Sequence, residues 1–204
     1  MAQIFDNPHE YFSQLIPARD ALLADLEAEA RQQGIPIVGP LVGELLFVLA
    51  RVVRAVRILE LGTATGYSAI YLARACEPFN GQVVTVESDR AMADRARVNF
   101  AKADVDRHIT VRLGEALQQL AVMDERYDMI FMDIEKKDYV RVLPDCRRLL
   151  RQGGLLVADN TGFKDADAFN RRISSSPHWR SVALFSFLPF HSPENDAICL
   201  ALRV

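Results

Sequence analysis

Apolar positions in this chain follow one rhythm up to about residue 53 and another beyond it. In the first stretch they recur at helical spacing. Asn7-Pro8 reads as a helix start, with the asparagine as cap and the proline in the first turn, and Pro17 breaks that segment. A second helix runs to about Arg31 with Leu22, Leu23, Leu26 and Ala30 on one stripe, and Gly34 ends it. A third apolar helix spans roughly Pro40–Val53.

From there short apolar runs alternate with amphipathic ones. Strands are predicted at Val56–Glu60, Gln82–Glu87, Ile109–Leu113, Tyr127–Met132 and Leu155–Ala158. Helices are predicted at Gly66–Cys76, Arg90–Ala103, Ala116–Ala121, Asp138–Leu150 and Asp165–Ser175. Strands joined by helices imply a parallel sheet covered on both faces. The end departs from this pattern, because Trp179–Leu188 and Ala197–Val204 are β-like runs with only a turn-rich loop between them. They should pair antiparallel as a hairpin. The expectation is an α/β fold, a doubly wound and mostly parallel seven-stranded sheet closed by an antiparallel C-terminal hairpin. The Phe185/Phe187 alternation and Trp179 are expected to pack those last strands.

At 204 residues, with half of them apolar and a quarter charged, the chain fits one soluble domain. Residues 1–35 are expected to be a helical segment and residues 36–204 a Rossmann-like core. The net charge of −3 argues against broad binding to nucleic acid. Arg147, Arg148 and Arg151, and Arg171 with Arg172, read as solvated helix faces, although a local basic patch stays open. The start, from Met1 to Pro8, lacks the basic and apolar regions of a signal peptide. The apolar run Leu41–Ala50 is too short to span a bilayer. Cys76, Cys146 and Cys199 are odd in number and far apart, so they read as buried thiols of a reducing compartment. A cytoplasmic protein is expected.

Ligands of open parallel sheets bind beyond the carboxyl ends of the strands. The first such end runs from Ile58 to Ser68, with Gly62 and Gly66 in GxxxG spacing rather than the GxGxxG of dinucleotide folds. A purely structural strand-to-helix turn would use the same glycines. Glu60, Glu87 and Asp133 end the first, second and fourth strands. Three acids around one crevice would repel a pyrophosphate and favour a ligand carrying an ammonium, a sulfonium and a ribose diol. Glu87, ~25 residues after the glycine turn, is placed to accept both ribose hydroxyls. The fourth strand runs into Asp133 and the fifth into Asp159-Asn160, so adjacent strands bring these three together. Two carboxylates and an amide oxygen are hard ligands for Mg²⁺ or a similar ion. Helix caps or Asx turns would explain each of the three singly.

On these segments the chain resembles the cation-dependent O-methyltransferases, the family that includes the catechol and caffeoyl-CoA enzymes, from about Pro36 to Val204. The carrying strings are Ile37–Gly43, Leu59–Ala69, Val84–Asp89, Gly114–Ala116, Met132–Lys136 and Ala158–Asn160. The resemblance implies a class I methyltransferase fold, S-adenosylmethionine (SAM) as donor, a divalent metal, and commonly a homodimer. It implies that Val38 contacts the methionine end of SAM. Glu60, Gly62 and Ser68 would line the methionyl pocket, with Thr63 in its turn. Glu87 would bind the ribose, Ser88 would lie beside the adenosine, and Glu115 and Ala116 would border the adenine. Asp133, Asp159 and Asn160 match the metal ligands and Lys136 the catalytic base. Three features depart from the family pattern: Glu135 stands where an aspartate is usual, Thr161–Asp165 replaces a Trp-x-Gly segment, and the loop Pro189–Asp196 is longer than expected. These segments border the acceptor pocket, so acceptor identity is not carried over.

The reading is a transfer of the sulfonium methyl to a hydroxyl of a small, catechol-like acceptor activated by the metal. Lys136, beside the cation, would have a depressed pKa and act as base. A hydroxylated uridine of tRNA stays open as acceptor, and a nucleotide-binding oxidoreductase or a non-catalytic module are the competing classes. His9, His108, His178 and His191 show no metal-ligand spacing, and His191 lies in the substrate-side loop.

Overall fold

The structure, a computed structural model, describes residues 4–204, so the first three residues of the segment read for a leader lie outside it. Helix α1 (Pro8–Ser13) starts on Asn7, whose side chain accepts from the Glu10 N–H, and it ends before Pro17. Helix α2 (Ala21–Gln33) is capped by Asp20 and closed by Gly34 in the left-handed region. Its buried stripe is Leu23, Leu26 and Ala30 with Glu27 among them, and Leu22 is only half-buried. Helix α3 (Gly39–Val52) follows and packs on α4 (Tyr67–Cys76).

The core strands are β1 (Arg57–Leu61), β2 (Gln82–Glu87), β3 (Ile109–Leu113), β4 (Tyr127–Met132) and β5 (Leu150–Ala158). Between them run α4, α5 (Arg90–Lys102), α6 (Ala116–Ala121) and α7 (Tyr139–Leu149), and α8 (Asp167–Ser175) follows β5. The expected elements are all present, shifted by a residue or two at their ends. Strand β5 differs more, because it begins at Leu150 and carries an irregularity against β4 before settling into register at Leu155.

Strands β6 (Trp179–Phe187) and β7 (Asn195–Arg203) form the antiparallel hairpin, and β7 inserts between β5 and β6. The sheet order is β3-β2-β1-β4-β5-β7-β6. The order of the parallel strands therefore reverses at the β1–β4 junction, where a crevice opens at the carboxyl rim. Two apolar clusters cover the faces, one built on α3, α4 and Phe100, the other on α7, Phe169 and Trp179.

Trp179 packs as expected, but Phe185 does not. It is 72% exposed, because β6 is the outermost strand and its middle, with Val182 and Leu184, faces outward. Phe187 stacks on His9 at 4.0 Å between ring centroids. All three cysteines are buried and free, and burial pushes Cys76 up to about 11 and Cys146 and Cys199 up to about 12. Arginines at 148, 151 and 171 are spent on internal partners. Arg148 donates to the Leu120 and Met123 carbonyls, Arg151 to Asp128 and Arg171 to Asp167. Among the described residues, no helix is long and apolar enough to cross a membrane.

Candidate active site

The β1-to-α4 turn is the first wall of a cleft of about 360 Å³ at the crevice. Gly62 sits at φ +95°, and a Cβ there would lie 2.0 Å from the Asp133 carbonyl oxygen. The backbone of β1 and the residue after β4 thus touch, which only glycine allows. Gly66, at φ +87°, starts α4 over the Phe100 ring. The turn is also tied to β2. Glu87 Oε2 accepts from the Thr63 and Ala64 N–H groups at 3.2 and 2.8 Å, and its Oε1 from the Asp89 N–H at 2.8 Å.

Glu60 behaves differently from its neighbours. It underlies the cleft instead of lining it, fully buried. Desolvation pushes its carboxyl up to about 7, opposed by the nearby Thr85 and Ser68 hydroxyls. Thr85 Oγ1 donates to Glu60 Oε2 at 2.6 Å and meets Thr63 Oγ1 at 2.5 Å, while Glu60 Oε1 has no partner. The other expected cofactor residues, Val38, Gly62, Thr63, Ser68, Glu87, Ser88, Glu115 and Ala116, all line the same cleft, as do Asp133, Lys136, Asp159 and Asn160. The exposed Ser88 and Glu115 follow the ends of β2 and β3, and Val38 stands at the start of α3.

The acidic corner follows from the β4–β5 register. Met132 pairs with Ala158, and the Asp159 N–H donates to the Met132 carbonyl at 3.0 Å, so Asp133 and Asp159 leave adjacent strands side by side. Tyr139, buried under this corner, reaches both the Met132 and Asp159 carbonyls with its hydroxyl, at 3.2 and 3.0 Å. Lys136 Nζ lies 3.1 Å from Asp133 Oδ1, each side chain about a quarter exposed. The Asp133 carboxyl is raised above the usual range by desolvation and then by the charge of Asp159, with Lys136 opposing.

Two residues from the β6–β7 hairpin complete the corner, and the spacing of the sequence did not single them out for this. His191 Nε2 meets Asp159 Oδ2 at 2.8 Å with both side chains essentially buried. Its Nδ1 faces the Pro193 carbonyl at 2.7 Å. Both nitrogens look onto acceptors, and the His191 pKa is raised: burial lowers it, but the Asp159 hydrogen bond and charge prevail. Asp196, also buried, takes the Asn160 side-chain N–H₂ on its Oδ2 at 2.6 Å. Asn160 itself is left-handed, at φ +49°, a conformation asparagine tolerates better than most residues. Neither Asp159 nor Asn160 caps a helix, so the simpler explanation for these residues does not describe their side chains. The sequence signal for Asp196 was slight, an acid at the end of the turn-rich loop.

These groups fit a hard cation. Asp159 Oδ1 is a buried carboxylate oxygen without a partner, on the one arm that His191 does not hold. The Asn160 nitrogen is committed elsewhere, which leaves its oxygen as the free arm. Among the described residues no group of three His, Cys, Asp or Glu side chains is placed to hold an ion. An ion here would rest on two carboxylates and one amide, a set suited to Mg²⁺-like ions rather than zinc.

A sheet of this order, with an acid-rimmed cleft where it reverses and a C-terminal antiparallel hairpin, defines a class I methyltransferase. Residues 17–170 match the O-methyltransferase family, and the chain belongs to it. It is 37% identical over 164 residues to a catechol O-methyltransferase of Niastella koreensis, covering 78% of this chain and 74% of that one. Its fold superposes with a TM-score of 0.85 on the O-methyltransferase TomG of Streptomyces achromogenes, solved in complex with SAM, at 30% identity and 96% and 95% coverage. The Bacillus cereus O-methyltransferase in complex with SAH gives 0.85 at 27% identity, with 96% of each chain covered. The protein is a SAM-dependent O-methyltransferase.

Proposed function

We propose that this methyltransferase acts on a hydroxyl of a small, catechol-like acceptor, with a divalent ion of the Mg²⁺ type held by Asp133, Asp159 and Asn160. The observation that carries the reading is the orphaned Asp159 Oδ1 in a buried acidic corner, with Lys136 3.1 Å from Asp133. Bound SAM supplies an electrophilic methyl on sulfur. A bound ion supplies positive charge that lowers the pKa of an acceptor hydroxyl. The residues of the chain orient and exclude. Gly62, Ser68 and Val38 cradle the methionine end, and Glu87 takes the ribose diol. Glu115 and Ala116 flank the base beside Ser88. Lys136, as the neutral amine, would take the acceptor proton on Nζ, the hydroxyl oxygen would gain the methyl as its bond to sulfur breaks with the electron pair left on sulfur, and proximity in a dry cleft would contribute the remainder. A catechol acceptor is supported by the name of the Niastella relative; the Phe163 and His191 segments, which depart from the family pattern, set which ring fits.

The test is a methylation assay with SAM over a panel of catechols and a hydroxyuridine-bearing tRNA, with Mg²⁺ or EDTA. Catechol methylation lost in EDTA and restored by Mg²⁺ supports the reading. Methylation of tRNA alone, or turnover indifferent to EDTA, overturns the acceptor or the metal part. The homodimer and the cytoplasmic setting belong to the same reading; sedimentation of the purified chain as a monomer would remove the first.

A further inference from the structure

We propose that Asp196 is a positioning residue that fixes which way the Asn160 amide faces, so that its oxygen and not its N–H₂ is offered to the ion. This rests on the metal site proposed above. The amide of an asparagine has two arms of similar shape and opposite character, and nothing in its own bonding decides which arm points where. A neighbour must decide, and here it is an acceptor-only carboxylate. Asp196 Oδ2 lies 2.6 Å from Asn160 Nδ2, and the Ser192 carbonyl adds a longer contact of 3.3 Å to the same nitrogen. Asp196 cannot rotate away. Its Oδ1 accepts from the Gly162 N–H at 3.0 Å and from its own neighbour Ala197 N–H at 2.7 Å. Gly162 approaches so closely that a Cβ there would lie 2.5 Å from that oxygen. The carboxylate is therefore clamped at one oxygen and presents the other to Asn160. Outer groups that hold a ligand in its binding orientation commonly contribute 10–100-fold to metal affinity.

The geometry singles out one substitution. In Asp196→Asn the Oδ1 arm keeps both backbone N–H partners, so the hairpin keeps its anchor. The other arm becomes an N–H₂ that confronts the Asn160 N–H₂. Two donors cannot pair, so Asn160 turns over and offers N–H₂ to the cation. The double variant Asp196→Asn with Asn160→Asp restores a donor facing an acceptor, and the second oxygen at position 160 returns to the ion.

Titration with Mn²⁺, followed calorimetrically and by electron paramagnetic resonance, reads the effect without turnover. The expected result is Mn²⁺ affinity about 10–100-fold weaker in Asp196→Asn, recovered in the double variant, with SAM affinity unchanged in both. Unaltered Mn²⁺ affinity in Asp196→Asn, or no recovery in the double variant, overturns the role of Asp196 while leaving the metal site standing. A wild-type protein that takes up no Mn²⁺ overturns both. Should Asp196→Asn fail to fold, the wild-type protein still decides. Its Asn160 side-chain N–H₂ resonances should stay protected from exchange when Mg²⁺ is added, and exposure on Mg²⁺ binding would show the nitrogen released from Asp196.

Discussion

Lys136 and Glu60 are both ionisable groups at the cleft, but their surroundings give them different work. Lys136 is partly open, on a short turn after β4, and its Nζ donates to Asp133 at 3.1 Å. Replacing it with alanine should lower kcat by about 10²–10⁴-fold, the usual contribution of a positioned base, with SAM affinity changed less than twofold by calorimetry. Equal turnover would remove Lys136 from the chemistry. Glu60 is sealed in, and its carboxyl titrates at about 7 instead of its ordinary 4.5 because ionisation there lacks solvent. A raised carboxyl contributes stability that is whole below 4.5 and is lost as pH climbs through 7. Glu60→Gln keeps the shape without the charge. Its stability relative to wild type should therefore improve between pH 4.5 and 8, by about 3 kcal/mol, in denaturant unfolding at a series of pH values. A difference that stays flat across that range would show that Glu60 ionises freely in the fold.

The glycine turn shows how an element places a site. At Gly62 an alanine would need both an unfavourable φ and a Cβ 2.0 Å from the Asp133 carbonyl. Gly62→Ala should destabilise the protein by on the order of 3 kcal/mol or more and weaken SAM binding together with it. A variant of wild-type melting temperature would mean that β1 and β4 can separate there freely. Much of this corner was legible in the sequence. Strand periodicity placed β4 and β5, and adjacency of parallel strands was enough to bring Asp133 to Asp159. His191, Asp196 and Glu27 were not legible, because each acquires its role from a partner more than ten residues away or from burial on a stripe otherwise apolar. His191 pairs with Asp159, Asp196 with Asn160, and Glu27 with Tyr67 and Arg19. No periodicity encodes such pairings. Phe185 failed for the converse reason. Alternation says that one face of a strand is apolar, but an outermost strand need not have anything to cover that face.

For the molecule as a whole, the cleft draws on nearly every layer of the fold: α3, the turns after β1, β2 and β3, the ends of β4 and β5, and the hairpin. A ligand touching so many elements should stabilise the folded chain by mass action. SAM at a hundred times its Kd should raise unfolding free energy by about 2.7 kcal/mol, visible as a rise in melting temperature that NAD does not reproduce. Stabilisation by NAD and none by SAM would contradict the class.

Strand β7 runs against the parallel core, so its beginning, not its end, arrives at the rim where the cleft opens. The connection that precedes it, residues 188–194, reaches that rim without any helix to pack and without fixing the register of the parallel strands. Such a segment can lengthen or change its side chains while the parallel strands stay in place. That wall of the cleft can thereby be rebuilt by changes in one connection while the parallel strands keep their register.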